Sequence, residues 1–399
     1  MLLPVLLLLL TCHGCGAYRP CASNLHRGFH IHSNRRSLTL RTRRAEDPVY
    51  GYTALKAATL DLNADGSAAI SKESKCPIMR FTNWLKVVWS FTRPHTIMGS
   101  GLSVLFLYAF ATPVGYWSKG PFWNSLFSSL FAALLMNVYI TGLNQCTDID
   151  IDKINKPYLP IAAGKMSKET GIAIVVTSLL SSLYLARNRE WPLQMVLLGS
   201  GALGTVYSLE PFRLKRFPLL AALCILTVRG SLVNFGFFFQ AKMQIMGTPL
   251  LSLSSAIRAF PEILLVSVFF ALFGVVIAVM KDAPDVEGDL IYKIPSFSVQ
   301  LGAGKMFRFA WKLLFGLLTC SSTACIYLLG KDYGAIGVGR RLGRLGLGGI
   351  LAAIALDAKR RAVTIRGSDS KKIFDYYMYT WNVFYACYAL LPLLGIAFV

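Results

Sequence analysis

Eight apolar runs of roughly 20 residues, each near the length that crosses a bilayer as a helix, constrain what this chain can fold into. They fall at 94–113, 121–143, 170–186, 191–207, 217–239, 263–280, 307–329 and 376–399. A further run, 345–356, is shorter, and Arg340, Arg341 and Arg344 crowd its start. The sequence therefore predicts an all-α polytopic membrane protein of about nine transmembrane helices. A residue content that is 54% hydrophobic and only 15% charged agrees with it.

The remaining sequence lies mostly ahead of these runs. Residues 1–17 hold a short leucine-rich segment followed by small residues, as a signal peptide does. Between 18 and 45 there are seven arginines and no acid, the composition of a transit peptide. A polar linker completes the 18–78 segment, and 79–399 is expected to be the membrane-embedded domain, entered through an amphipathic stretch carrying Trp84 and Trp89. A signal followed by a transit peptide resembles the bipartite leader of plastids bounded by extra membranes, and a plain secretory signal with a basic flank is the alternative. Cys12 and Cys15 form a CxxC inside this leader, and the other cysteines lie scattered, so no metal or disulfide framework is indicated.

The formal charge of +21 does not indicate nucleic acid, because no continuous basic helix with interleaved aromatics occurs. Basic residues cluster instead at the ends of apolar runs. With nine spans, the connections carrying Lys153, Lys156 and Lys165, then Arg213, Lys215 and Arg216, then Lys281 and Lys293, then Lys359 to Lys372 all emerge on one face. By the positive-inside rule that face is the cytosol-like side.

Two acidic stretches share this face. In NQCTDIDIDKINKPYLPIAAG, Asn144, Asp148 and Asp152 recur every four residues and form one stripe if helical. In KDAPDVEGD, Lys281, Asp285 and Asp289 repeat the pattern, with Asp282 and Glu287 directed elsewhere. Asp148 and Asp285 lie 137 residues apart, across four spans, as in a four-span unit used twice with a ninth span added. Acids beside lipid are costly and need a partner. Mg2+ suits them, since it binds through one or two carboxylates and completes its shell with water and phosphate. Two such pairs face to face would hold a diphosphate.

These motifs, NQxxDxxxD with KxNKPxLP and then KDxPDxxGD, resemble the UbiA superfamily of intramembrane prenyltransferases, in particular its homogentisate prenyltransferases. The resemblance runs from RPHT at Arg93 through YSLEPFRLKRFPLLAALC and VRGSLVNFG to YYMYTWNVFYACYALLPLL. Chlorophyll synthases of the same superfamily carry Arg after the first motif Asp, where this chain has Ile149. The resemblance implies helices around a central cavity, with Asn144, Asp148 and Asp152 on one Mg2+, Asp285 and Asp289 on a second, and Lys281 beside the diphosphate. It further implies that Arg213 and Lys215 grip the diphosphate and that Tyr207 lines the site. Arg229 and Asn234 lie inside the fifth span, where an unpaired polar group is costly, and so are candidate substrate contacts. His95 either meets the aromatic acceptor or serves the helix start.

The reaction implied is transfer of a prenyl group, phytyl or geranylgeranyl, from its diphosphate to homogentisate with loss of CO2, within a lipid bilayer of a plastid. A solanesyl donor is the alternative, since PYLPIAAG, VNFG and WNVFYA resemble the solanesyl transferases. The rival class is an ion-coupled transporter, whose acids would lie deep within the spans rather than beside basic loops.

Overall fold

The computed structural model describes residues 77–331, 337–365 and 369–398; the expected leader and nearly all of the polar linker lie outside the described residues. Among the described residues the regular structure is helical throughout. An amphipathic helix α1 (Pro77–Phe91) leads into α2 (Pro94–Ala111), α3 (Gly120–Thr147), the short α4 (Ile149–Asn155), α5 (Lys168–Ala186) and α6 (Trp191–Ser208). Next come α7 (Pro218–Leu226) and α8 (Val233–Met246), joined without interruption by a π-helical turn, Thr227–Leu232, then α9 (Leu253–Ala259), α10 (Glu262–Asp282), and the short α11 (Val286–Ile291) and α12 (Phe297–Leu301). The chain closes with α13 (Ala303–Lys331), α14 (Val338–Val363), α15 (Ser370–Ala389) and α16 (Leu391–Phe398).

The starts and stops follow local chemistry. Proline occupies the first turn of α2, α3, α6 and α7, where its missing N–H costs nothing. Ser167 caps α5 by accepting from the Thr170 N–H at 3.2 Å. Gly247 ends α8 in the left-handed conformation (φ 65°).

Six of the expected spans are long and apolar enough to cross a membrane: α2, α3, α5, the continuous Pro218–Met246, α10 and α13 as Ala303–Leu329. The other three expected spans are also helical but less apolar. α6 carries Gln194, Ser200 and three glycines, α14 opens and closes on arginines, and α15 opens on Lys371 and Lys372. The run at 345–356 lies within a helix of 26 residues, much longer than its apolar stretch. Arg344 makes that possible: buried, it donates to the Leu328 carbonyl at 2.7 Å near the end of α13, so the cluster at 340–344 includes a helix cap as well as surface charge.

An inner ring of α2, α3, α6, α7–α8, α10 and α15 surrounds the interior, closed where α15 packs on α2. α5 lies outside α3, while α13 packs on α10 and α14 on α13. Burial concentrates on inward faces such as Phe270, Phe273, Val276 and Met280 of α10. Small residues allow the closest approach between helices. At Gly230, in the π turn, a Cβ would lie 2.5 Å from the Ala271 Cβ and 2.7 Å from its Cα. Gly230→Ala must therefore force α10 away from the π turn, and a loss of roughly 1–3 kcal/mol is expected. Thermal unfolding in detergent, with wild type alongside, checks it.

Candidate active site

The two acidic stretches meet. α3 ends at Thr147, and Asp148 leaves helical geometry (φ −113°, ψ 23°) before α4 begins, so the first stripe is not one helix. Its spacing survives the break because the Asp148 N–H donates to the Asn144 carbonyl at 3.1 Å and the Asp152 N–H to the Asp148 carbonyl at 2.8 Å. The second stretch repeats this construction: α10 ends at Asp282, Asp285 precedes α11, and the Asp289 N–H donates to the Asp285 carbonyl at 3.1 Å. α4 and α11 then dock, with the Gly288 N–H donating to Asn155 Oδ1 at 2.8 Å. A Cβ on Gly288 would lie 2.5 Å from that oxygen, so only glycine fits without displacement.

Cations hold three of the four stripe carboxylates, Asp148, Asp152 and Asp285. Lys215 donates to Asp148 Oδ1, as does Arg213 Nη2 at 3.1 Å, while Asn144 Nδ2 donates to Asp148 Oδ2 at 2.9 Å. Arg93 Nη2 donates in turn to Asn144 Oδ1 at 3.3 Å. Lys156 donates to Asp285 and lies 4.0 Å from Asp152, bridging the two stretches. Lys281 pairs with Asp282 at 3.0 Å and donates to the Tyr207 hydroxyl at 3.4 Å. Asp282, expected to face away, thus lines the site, together with the four stripe acids. Burial pushes the Asp289 carboxyl up to about 6, with Asp285 and Asp282 adding to the rise, and burial raises Asp152 as well. The Lys215 ammonium is lowered, first by burial.

Two of these cations have strained backbones. Arg93 (φ 52°) and Arg213 (φ 35°) occupy the left-handed region, which costs a non-glycine residue about 1–2 kcal/mol. Such strain persists where the surroundings over-determine a conformation, commonly at functional sites.

Above this mouth lies a chamber of about 230 Å3 that shares Arg93, Asn144, Tyr207 and Lys281 with it. Among the described residues, no Asp or Glu lines the chamber. Its wall is largely apolar, with an aromatic corner where the His95 ring meets Trp381 edge-on at 5.3 Å and Tyr377 at 6.3 Å. The Tyr385 hydroxyl donates to the His95 carbonyl at 2.6 Å. Arg229 lines the chamber with its guanidinium over Trp381 at 5.2 Å and Phe384 at 5.6 Å.

Asn234 is fully buried behind that wall and is not among the residues lining the chamber. Its Nδ2 donates to the carbonyls of Arg229 and Gly230 at 3.0 and 2.8 Å, and its Oδ1 accepts from the Tyr388 hydroxyl at 2.9 Å. The structure also brings in residues that sequence reasoning left unassigned: Lys156, Asp282, Asn155, Arg93, Tyr377 and Trp381. Lys156 and Asn155 sit in the KINKP segment beside the first acids, the one signal that could have found them.

Residues 103–383 match the profile of the UbiA prenyltransferase family. This chain belongs to that family. The UbiA-family chain is 37% identical over 343 residues to homogentisate phytyltransferase 1, chloroplastic, of Arabidopsis thaliana, covering 84% of this chain and 81% of that protein. It is 35% identical to a homogentisate geranylgeranyltransferase of Triticum aestivum, over 77% of this chain and 72% of that one. With the homogentisate solanesyltransferase of Arabidopsis thaliana it shares 34% identity, over 81% and 80%. Its fold matches a UbiA homolog from Archaeoglobus fulgidus bound to DMAPP and Mg2+ with a TM-score of 0.54 at 13% identity, covering 78% of this chain and 99% of that chain.

The donor set fits a hard divalent cation that expects phosphate. Among the described residues no three His, Cys, Asp or Glu converge into a closed cage. Instead there are carboxylates in pairs, and Asp152 Oδ2 is buried with no hydrogen-bond partner, an acceptor without its donor. Stability should record this electrostatic arrangement. A carboxyl whose folded pKa is raised destabilises the fold once ionised, so with divalent cations chelated the protein is expected to lose stability as pH rises from 4 through about 6. Lys156→Met, which removes the bridging cation, should steepen that loss by roughly 1–3 kcal/mol at pH 7 and much less at pH 4.5. Melting temperatures across that range test both statements.

Proposed function

We propose that this chain is a plastid-membrane aromatic prenyltransferase that moves a phytyl or geranylgeranyl group from its diphosphate to homogentisate, with loss of CO2 from the acceptor. The observation that carries the reading is the joining of two carboxylate pairs with Arg93, Lys156, Lys215 and Lys281, and with Arg213 on Asp148, at the mouth of a largely apolar chamber that no described Asp or Glu lines. The similarity to homogentisate transferases along most of the chain supports the acceptor, and the chloroplastic names of those relatives support the compartment.

Each end of the site has its own task. Asp148, Asp152, Asp285 and Asp289, with Asn144, would hold Mg2+ ions, which supply positive charge to the departing diphosphate. Lys156, Arg213 and Lys215 already pair with Asp148, Asp152 and Asp285, so an incoming diphosphate meets basic donors that can turn from carboxylate to phosphate. Lys281 and Tyr207 stand where mouth and chamber join and donate toward the bond that breaks. The chamber excludes water from the allylic carbon as positive charge grows there, and the Tyr377 ring stabilises that charge. The arene then attacks that carbon, and the acids at the mouth take no part in its binding.

Membranes bearing the protein, given homogentisate, Mg2+ and phytyl, geranylgeranyl or solanesyl diphosphate in turn, should yield prenylquinol from the first two. The solanesyl donor is the second reading, favoured by the 34% identity to a solanesyltransferase. Asp148→Asn or Asp285→Asn should each lower turnover on the order of a hundredfold or more. Activity surviving either change, or strong activity in chelator, would refute the carboxylate clamp.

A further inference from the structure

We propose that Arg229 is the anchor for the carboxylate of the aromatic acceptor, so that the chamber selects an acidic arene over a neutral one; this rests on the prenyltransferase reading above. Every other cation at the site has a partner. Lys156, Arg213, Lys215 and Lys281 each pair with a carboxylate, and Arg93 donates to Asn144. The Arg229 guanidinium makes no ion pair or hydrogen bond with another described residue, and its contacts are the faces of Trp381 and Phe384.

Its depth separates it from the diphosphate. A Cβ on Gly274 would lie 3.7 Å from the Arg229 Cβ, so Arg229 leaves the wall at the level of Gly274 on α10. Lys281 is seven residues further along α10, about 10 Å toward the mouth at the helical rise. No described Asp or Glu lines the chamber between. An anion is therefore the ligand that such a cation lacks, and the donor brings only hydrocarbon this far from the clamp. The acceptor can meet it with a carboxylate on a short arm, received by the planar fork in two parallel hydrogen bonds.

The wall is built to hold this side chain still. The π turn exposes the carbonyls of Arg229 and Gly230, and Asn234 satisfies both. Tyr388 holds Asn234 by its hydroxyl and stacks on Phe270 at 3.8 Å. Asn234 is thus a positioning residue, and the His95, Tyr377 and Trp381 rings complete the corner in which an arene anchored at Arg229 would lie.

Equilibrium binding to the purified full-length protein separates this idea from the overall reaction. Radiolabelled homogentisate and its neutral carboxamide are the probes, and a non-hydrolysable prenyl diphosphate analogue is the control. Wild type should bind the acid about tenfold to a hundredfold more tightly than the amide, as a charge-assisted hydrogen bond gives. In Arg229→Gln that preference should collapse to within about threefold, with affinity for the diphosphate analogue unchanged. Arg229→Lys, which keeps the charge and loses the fork, should fall between them and serves if the glutamine variant does not fold. Equal binding of acid and amide by wild type, or an undiminished preference in Arg229→Gln or Arg229→Lys, would overturn the anchor. Failure of all prenylquinol formation would overturn the reaction while leaving these binding ratios to judge Arg229.

Discussion

The Lys156 bridge between Asp285 and Asp152 is the interaction on which the mouth of the site depends. Four buried carboxylates converge where α3 and α10 leave the apolar layer, and each would be repelled by the others in that low dielectric. Lys156 answers two of them at once, and Lys215 with Arg213 answers a third. Asp289 forms no ion pair with another described residue, and burial pushes its carboxyl up to about 6. The bridge also joins the two halves of the chain, since Lys156 follows α4 and Asp285 precedes α11. The main-chain bond from Gly288 to Asn155 fixes the same junction without charge. Electrostatics and backbone geometry thus reinforce one contact.

Much of this was legible in the sequence because the bilayer restricts the alternatives. Apolar runs located most of the long helices, although the run at 217–239 extends to Met246, the run at 345–356 lies within Val338–Val363 and the run at 376–399 is divided between α15 and α16. The i, i+4 spacing of Asp148 with Asp152 and Asp285 with Asp289 marked which side chains share a face. What the spacing concealed was the backbone break at Asp148 and the loop before Asp285, since a hydrogen bond from residue i+4 keeps the period whether or not the helix is continuous. Lys156 and Asn155 were hidden for another reason. Their roles depend on a partner some 130 residues away, and a lysine at a span end reads as interfacial charge until that partner is placed. Asn234 reversed its expected position, behind the wall rather than on it, because the π turn shifts the side-chain register that a regular helix would give.

Span count illustrates the limit of hydropathy from the other direction. α6, α14 and α15 are helices in the bundle, and several of their polar residues bond to neighbouring helices. Thr205 accepts or donates to Tyr139 at 2.5 Å, Arg344 caps α13, and Tyr376 donates to the Ala358 carbonyl at 3.1 Å. A helix whose polar groups are satisfied by neighbours can lie in a membrane protein without a strongly apolar sequence.

The separation of acids from the chamber has a physical consequence for any cationic carbon formed there. A carboxylate beside such a carbon would compete with the arene as nucleophile and would hold the cation tightly enough to slow its capture. Aromatic faces stabilise positive charge without offering a lone pair to bond. Among the described residues the carboxylates of the site stay at the mouth, three of the stripe acids paired with lysines or arginine, while the interior wall is largely apolar and includes Trp381 and Tyr377. Arg229 belongs to the same logic: it shares the Trp381 and Phe384 faces, so its positive charge is supported by the rings alone until an anion arrives. A ligand carboxylate would then be held about 10 Å from the clamp, measured along α10. The like charges of the two substrates, carboxylate and diphosphate, would be kept apart while their carbon centres are brought together.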